Sequence, residues 1–178
     1  MAYIPMTEYE TATPEVRARY DDQTRRFGRI TNMKRTLLHN TKAFDIYMEW
    51  YTLADLCRDF IGGRALSLYS LAISQGNRCL VCSTYFRKIL IDTGADPDTP
   101  DLDDEENTLI ALGASIAEDP HNIDPQLYSE LKARYTDEQI VLLIALGGMM
   151  VATNLFNTVA KVDLDDVLLG YKKAGPAE

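Results

Sequence analysis

Apolar residues recur at every third or fourth position along most of this chain, and no stretch shows the sustained alternation of an amphipathic strand. This period is typical of helices that bury one face. The segment 64–74 is apolar on most of its circumference, which predicts a central, buried helix. The sequence therefore predicts an all-α fold.

Helix starts and stops divide the chain further. Thr13-Pro14 predicts a first helix that ends at Gly28, and Gly62-Gly63 is expected to end a second helix over 41–60. A break at 75–77 separates the central helix from the next, which we expect to run from Arg78 to Thr93-Gly94. The acidic stretch 96–106 follows, which we interpret as a loop that ends in a helix-starting acidic cluster. The remaining helices are predicted over 109–116, 126–134 and 137–159, the last with a capping pattern at Thr136.

The length suits one domain, which we predict to span residues 1–178 with 1–13 as an N-terminal arm. The net charge of −9 argues against nucleic acid as a partner. The basic residues that do cluster are interpreted as a solvated helix face: Arg25, Arg26, Arg29, Lys34 and Arg35. No export signal is recognisable at the N-terminus, and the apolar run 140–151 is short for a membrane span. We expect a cytoplasmic protein without a membrane partner.

Two of the three cysteines are spaced as Cys79-x-x-Cys82, so on a helix both lie on one face and are able to form a disulfide. The break before them is expected to place Cys79 in the first helical turn, where free N–H groups and the helix dipole favour thiolate. Arg78 and Arg87 are expected to add to this effect. A thiolate attacks peroxides or disulfides, and a second thiol resolves the product, so the pair predicts redox chemistry.

Other interpretations of the candidate residues remain open. The pair could be two buried cysteines that act as small hydrophobes, and a zinc site would need two more ligands than the chain offers. Cys57 lies on an apolar stripe and is expected to pack in the core. His39 and His121 stand in polar contexts that favour capping or surface roles. We therefore predict no metal and no bound cofactor.

Four segments of the chain together resemble the alkylhydroperoxidase D-like proteins of the carboxymuconolactone decarboxylase superfamily. The central segment, Ala72-Ile73-Ser74-Gln75-Gly76-Asn77-Arg78-Cys79-Leu80-Val81-Cys82, is the specific one. The others are Thr13-Pro14-Glu15-Val16, Phe27-Gly28-Arg29-Ile30-Thr31-Asn32-Met33 and Thr153-Asn154-Leu155-Phe156-Asn157-Thr158. The resemblance implies an all-helical fold, homo-oligomers and a thiol peroxidase that reduces hydroperoxides. It also implies regeneration by a dithiol such as a lipoyl protein.

The same resemblance implies roles for the site residues. Attack on peroxide falls to the second cysteine, Cys82, and resolution to Cys79. The family pattern has a glutamate twelve residues before the first cysteine and a histidine four residues after the second, where this chain has Ser67 and Phe86. Neither side chain can act as a carboxylate or an imidazole does in proton transfer. The predicted peroxidase is therefore divergent and weak.

The sequence therefore predicts a thiol-dependent, peroxidase-type oxidoreductase that cycles Cys79 and Cys82 between dithiol and disulfide. Two alternatives stay open: a non-enzymatic oligomeric redox sensor, and a decarboxylase- or isomerase-like enzyme that acts on a small organic acid. The substrate, the reductant and the oligomer number are not determined by the sequence.

Overall fold

The computed structural model describes residues 2–173, which contain helices and no strand. The predicted all-α class is therefore confirmed. A short 3-10 turn, Tyr9–Thr11, precedes the first α-helix, and another, Asp166–Tyr171, follows the last. The α-helices are α1 (Pro14–Phe27), α2 (Asn32–Leu37), α3 (Thr41–Trp50), α4 (Thr52–Gly76), α5 (Leu80–Asp92), α6 (Asp104–Glu118), α7 (Pro125–Arg134) and α8 (Asp137–Val159).

Local sequence signals account for most of these boundaries. The Thr13 side chain accepts a hydrogen bond from the Val16 amide at the start of α1, and Gly28 ends this helix in the left-handed region at φ 74°. Capping boxes open α6 and α8: the former pairs Asp103 with Glu106, and the latter follows the predicted pattern at Thr136.

The predicted single helix over 41–60 is wrong, because α3 ends at Trp50 and α4 begins at Thr52. Tyr51 joins them, and its hydroxyl turns inward to a contact of 3.6 Å with the Met33 sulfur. The predicted break at Gly62 does occur, as a kink within α4 at φ 76° and ψ 168°. Beyond the kink, every residue from 65 to 74 is buried, which confirms the predicted central helix.

The main core surrounds this second half of α4, which packs against α5, α6 and α8. Two glycines allow the close approach: an ideal Cβ at Gly113 would lie 2.8 Å from the Tyr69 carbonyl, and one at Gly147 would lie 2.7 Å from the Tyr69 hydroxyl. That hydroxyl donates a hydrogen bond of 2.7 Å to the Leu143 carbonyl. Because Tyr69 is fully buried, this bond fixes the register of α4 against α8.

By length and composition, α8 could cross a membrane, since an 18-residue window within it has a mean hydropathy of 1.9. The helix is thus longer than the apolar run 140–151 that the sequence singled out. Of that window, 44% is buried inside the fold. The residues on its packed face include Leu143, Leu146 and Met149, which belong to the main core. We therefore assign α8 as a core helix.

A second, smaller core joins α1, α2 and α3 to the end of α8. The N-terminal segment lies over it: the Tyr3 amide bonds the Ala160 carbonyl at 3.1 Å, and the Thr7 amide bonds the Arg35 carbonyl at 3.3 Å. The candidate site lies between the two cores, where the start of α5 meets the end of α8.

The predicted solvated basic face is only partly correct. Arg25 and Arg26 are exposed and pair with Asp22. In contrast, Lys34 is half-buried, donates to the Gln23 side-chain oxygen at 2.5 Å, and has its pKa lowered to about 8 by burial. These side chains therefore do not form one continuous solvated surface.

Candidate functional site

A tight turn between α4 and α5 positions the cysteine pair. The Arg78 amide bonds the Gln75 carbonyl at 2.9 Å, and the Cys79 amide bonds the Ser74 carbonyl at 3.0 Å. These two bonds form a Schellman motif, in which Arg78 takes the left-handed position at φ 54°. The motif ends α4 and starts α5 within three residues.

The sequence predicted that Cys79 lies in the first helical turn. In the structure it is instead the N-cap of α5, one residue before the helix begins. Its backbone is extended because the left-handed Arg78 redirects the chain just before it. The Cys79 sulfur accepts a hydrogen bond of 3.4 Å from the Cys82 amide, the bond that an N-cap oxygen usually accepts. Cys82 follows at the third helical position, and both thiols are free and buried.

The two thiols have opposite tendencies to ionise. The pKa of Cys79 is lowered to about 7, mainly by a hydrogen bond from the Cys82 side chain and against the opposing effect of burial. The backbone amides of Cys82 and Val81 and the Thr158 side chain lower it further. The pKa of Cys82 is raised, because its thiol donates to Cys79 and is itself buried. One negative charge shared by the pair therefore resides on Cys79.

Side chains distant in sequence surround Cys82. The Asn157 amide nitrogen donates to the Cys82 sulfur at 3.2 Å, and the same nitrogen is 3.6 Å from the Met33 sulfur. Burial raises the pKa of the Tyr51 phenol. Tyr51 also lies close to Cys82, so a negative charge on Cys82 would raise this pKa further. Tyr51 and Asn157 were not among the predicted site residues. For Asn157 a signal existed, because it lies in the segment 153–158 that carried part of the resemblance.

The Asn157 side chain is not fully satisfied. Its oxygen is buried and has no hydrogen-bond partner among the described residues. If the oxygen and nitrogen of the amide were exchanged, the oxygen would face the Cys82 sulfur and the nitrogen would lack a hydrogen-bond partner instead. The site thus contains a buried polar atom without a hydrogen-bond partner among the described residues.

The Ser67 and Phe86 side chains are occupied elsewhere. The Ser67 hydroxyl is buried and donates to the Gly63 carbonyl at 2.8 Å, within its own helix. Phe86 packs against two hydrophobic clusters and against the Tyr85 ring. Neither residue offers an acid or a base to the thiols.

The remaining candidates are placed as follows. Arg87, expected to favour the Cys79 thiolate, instead forms a bidentate pair with Asp98 at 2.8 Å and donates to the Tyr171 carbonyl. That expectation is wrong, because the guanidinium points away to the acidic loop. Cys57 is fully buried in the main core, as predicted. His39 and His121 are exposed, and His39 contacts the Pro5 carbonyl at 2.7 Å.

A cavity of about 520 Å³ opens beside Cys79. Its walls come from the start of α5, the end of α8 and the segment 161–172. Cys79, Asn157 and Thr158 line it, whereas Cys82 does not. Within residues 2–173, no cluster of three or more His, Cys, Asp or Glu side chains could hold a metal ion. The cavity therefore presents one ionisable thiol with a second thiol behind it.

No family model matches the chain, and no curated relative matches its sequence. Solved structures do match it along nearly its whole length. The apo debrominase Bmp8 has a TM-score of 0.78 at 15% identity, with 94% of this chain and 95% of that chain covered. A cysteine-to-alanine variant of Bmp8 in complex with 2,3,4-tribromopyrrole has a TM-score of 0.80 at 14% identity, with 96% of each chain covered.

A third structure is the alkylhydroperoxidase AhpD core of an uncharacterized peroxidase-related protein from Ralstonia eutropha JMP134. Its TM-score is 0.69 at 16% identity, and 94% of each chain is covered. At such low identities these likenesses concern the fold. The chain has the all-helical fold of the alkylhydroperoxidase D-like proteins, as the sequence resemblance implied.

Proposed function

We propose that this protein is a dithiol oxidoreductase of the alkylhydroperoxidase D-like family, in which Cys79 and Cys82 cycle between dithiol and disulfide. The observation that carries the proposal is the Cys79 thiol at the N-cap of α5, with its pKa lowered to about 7, in a residue that lines a cavity. A thiolate at neutral pH is the nucleophile that such chemistry requires.

A hydroperoxide is the first candidate substrate. The Cys79 thiolate attacks the terminal peroxide oxygen, the O–O bond breaks, and the leaving alkoxide takes up a proton to become an alcohol. Cys79 is then a sulfenic acid, which the Cys82 thiol attacks to form the Cys79–Cys82 disulfide and water. Two electrons pass from the dithiol to the peroxide. An external dithiol, such as a lipoyl group, returns them by thiol–disulfide exchange.

This order reverses the roles that the resemblance implied, because it gives the attack to Cys79 rather than Cys82. Cys79 lines the cavity and carries the lowered pKa, whereas the pKa of Cys82 is raised. Cys82 is then suited to resolution, since it lies three residues after Cys79 and its backbone amide donates to the Cys79 sulfur at 3.4 Å.

Slow turnover is expected with peroxide. Ser67 and Phe86 supply no acid or base, and loss of such a group typically lowers a rate by about two to four orders of magnitude. Tyr51 lies close to Cys82, and its raised pKa keeps its phenolic proton in place at neutral pH.

Reductive debromination is a second candidate, favoured by the two Bmp8 structures, which match with higher TM-scores than the AhpD core. The same two electrons would replace a carbon–bromine bond with a carbon–hydrogen bond and release bromide. The dithiol would again become the Cys79–Cys82 disulfide. This reaction ends with the cysteines in the same state, so the two substrates differ only in the electrophile.

Intact-mass spectrometry of the reduced protein tests the proposal. One equivalent of cumene hydroperoxide, or of 2,3,4-tribromopyrrole, should remove about two mass units within minutes as the disulfide forms. Bromide release identifies the second reaction. A Cys57→Ser variant should behave as the native protein does, since Cys57 lies in the core. Disulfide formation only over hours would favour the redox sensor, and no response to either compound would contradict the proposal.

A further inference from the structure

Two residues other than glycine have a positive φ within residues 2–173, and both line the cavity beside Cys79. They are Arg78 at φ 54° and Lys161 at φ 48°. Each occupies the left-handed position that follows a helix. For Lys161 the motif is the same as for Arg78: its amide bonds the Thr158 carbonyl at 3.3 Å, and the Val162 amide bonds the Asn157 carbonyl at 3.0 Å.

Glycine is the favoured residue at this position, because it has no Cβ to clash in the left-handed region. The chain follows this rule elsewhere: Gly28 and Gly94 take the left-handed positions after α1 and α5, and neither is part of the cavity wall. At the two helix ends that flank the cavity, a long cationic side chain stands where glycine would cost less. A function for the two charges explains that choice.

A favourable contact between a cation and the helix dipole is the simpler explanation. It does not explain why both cations meet at one cavity together with a third, Lys172. None of the three forms an ion pair with a carboxylate of residues 2–173, whereas most Lys and Arg side chains of this acidic chain do. The Lys161 ammonium lies 4.3 Å from the centre of the Tyr3 ring, a cation–π contact that leaves it without a carboxylate partner among residues 2–173.

The rest of the cavity wall is mainly apolar, with Val81, Val162 and Leu164, and it bears one carboxylate, Asp163. Asn157 adds the buried oxygen that has no partner, in a side chain that is only 3% exposed. Such a wall combines positive charge at the edge, an apolar interior and one unused hydrogen-bonding atom next to the thiols. Each feature matches a different part of a small amphiphilic molecule.

We propose that this cavity binds a small organic anion, an aromatic or short-chain carboxylate, phenolate or similar acid. Arg78, Lys161 and Lys172 hold its charge and the apolar wall holds its body. The inference rests on the proposed function, in that it names the class of substrate that would be presented to Cys79. It concerns binding alone and needs no turnover.

Benzoate and benzamide provide a matched pair of probes, since they have nearly the same shape and differ in charge. We expect benzoate to bind the reduced protein about tenfold or more tightly than benzamide in ligand-observed NMR titrations at low ionic strength. Bound benzoate should slow the alkylation of Cys79 by iodoacetamide. The preference should decrease as salt is added, because the cations are exposed.

Glycine substitutions separate binding from structure. An Arg78→Gly/Lys161→Gly double variant should keep or raise the midpoint of thermal unfolding, since glycine relieves the left-handed backbone. It should lose the preference for benzoate while binding benzamide as before. Lys42→Gln, a change in an exposed lysine on α3 away from the cavity, is the matched control and should leave both affinities unchanged.

Three results would overturn the inference: no benzoate binding, equal affinity for benzoate and benzamide in the native protein, or an undiminished preference in the double variant. These outcomes are independent of the redox proposal. A protein that forms the disulfide without preferring benzoate would disprove only the anion site, and one that prefers benzoate without redox activity would disprove only the oxidoreductase.

Discussion

A sulfur atom at an N-cap differs from the hydroxyl oxygen of serine or threonine in that its proton can be lost near neutral pH. Serine or threonine at that position would accept the same backbone hydrogen bond but remain neutral. Cys79 instead accepts a hydrogen bond from the Cys82 amide, and this capping bond lowers its pKa in addition to the larger effect of the Cys82 side chain. The helix start and the reactive thiol are therefore one structural feature.

The rate of alkylation of Cys79 should follow this pKa. Iodoacetamide reacts with the thiolate, so the rate should rise with pH, reach half its maximum near pH 7 and level off above it. Cys82, whose pKa is raised, should stay unreactive over the same range. Peptide mapping after timed alkylation measures both. A half-maximum for Cys79 at or above the ordinary value of roughly 8.5 would contradict the assignment.

At the residue scale the sequence indicated the cysteine pair and the nearby helix start, but not the detailed position of Cys79. The left-handed Arg78 has no local signature, because glycine is the residue that usually marks such a turn. Arg87 was wrongly expected to affect the thiols, since its partner, Asp98, lies in a loop whose path depends on the tertiary fold.

Helix boundaries could be predicted where capping chemistry sets them and not where tertiary packing does. Pro14, Gly28 and the capping box at Thr136 mark their helices in the sequence. The junction at Tyr51 carries neither glycine nor proline, and it forms where the Tyr51 side chain turns into the interior. Only the three-dimensional arrangement of α3, α4 and α8 accounts for it.

The packing of α8 against α4 offers a test with neighbouring residues. Gly147→Ala should destabilise the protein by about 1–3 kcal/mol, because the new methyl group would lie 2.7 Å from the Tyr69 hydroxyl and 2.8 Å from Ile116. Gly148→Ala should change its stability by less than about 1 kcal/mol, since that position is open within the subunit. Urea unfolding measures both. Equal effects of the two changes would refute the close contact.

At the scale of the whole molecule, the cavity could not have been found from the sequence. Its walls combine residues 78–81 with residues 157–172, which lie far apart in the chain and meet only because α5 packs against α8. The all-α class, in contrast, follows from a period that each helix carries by itself. The sequence therefore predicted the helices and the cysteine pair but not the set of residues that line the cavity.

The predicted homo-oligomer has a candidate interface on the outer face of α8. Four large apolar side chains there are 42–65% exposed: Val141, Ile144, Leu155 and Val159. An apolar stripe of this length is typical of a surface that is buried between subunits.

Leu155→Lys with Val159→Lys should shift the protein to a monomer in sedimentation velocity at micromolar concentration, since the change places charges in that stripe. Ile91→Lys on α5, where the side chain is 41% exposed, is the matched control and should leave the oligomer intact. A native protein that sediments as a monomer would contradict the prediction of an oligomer altogether.

Trapping of the sulfenic acid distinguishes attack by Cys79 with resolution by Cys82 from the reverse order. Cys82→Ser and Cys79→Ser variants are each treated with one equivalent of hydroperoxide, then with dimedone, and the labelled cysteine is identified by peptide mapping. We predict a dimedone adduct on Cys79 in the Cys82→Ser variant and little or none on Cys82 in the Cys79→Ser variant. The reverse pattern, with the adduct on Cys82 alone, would contradict the account.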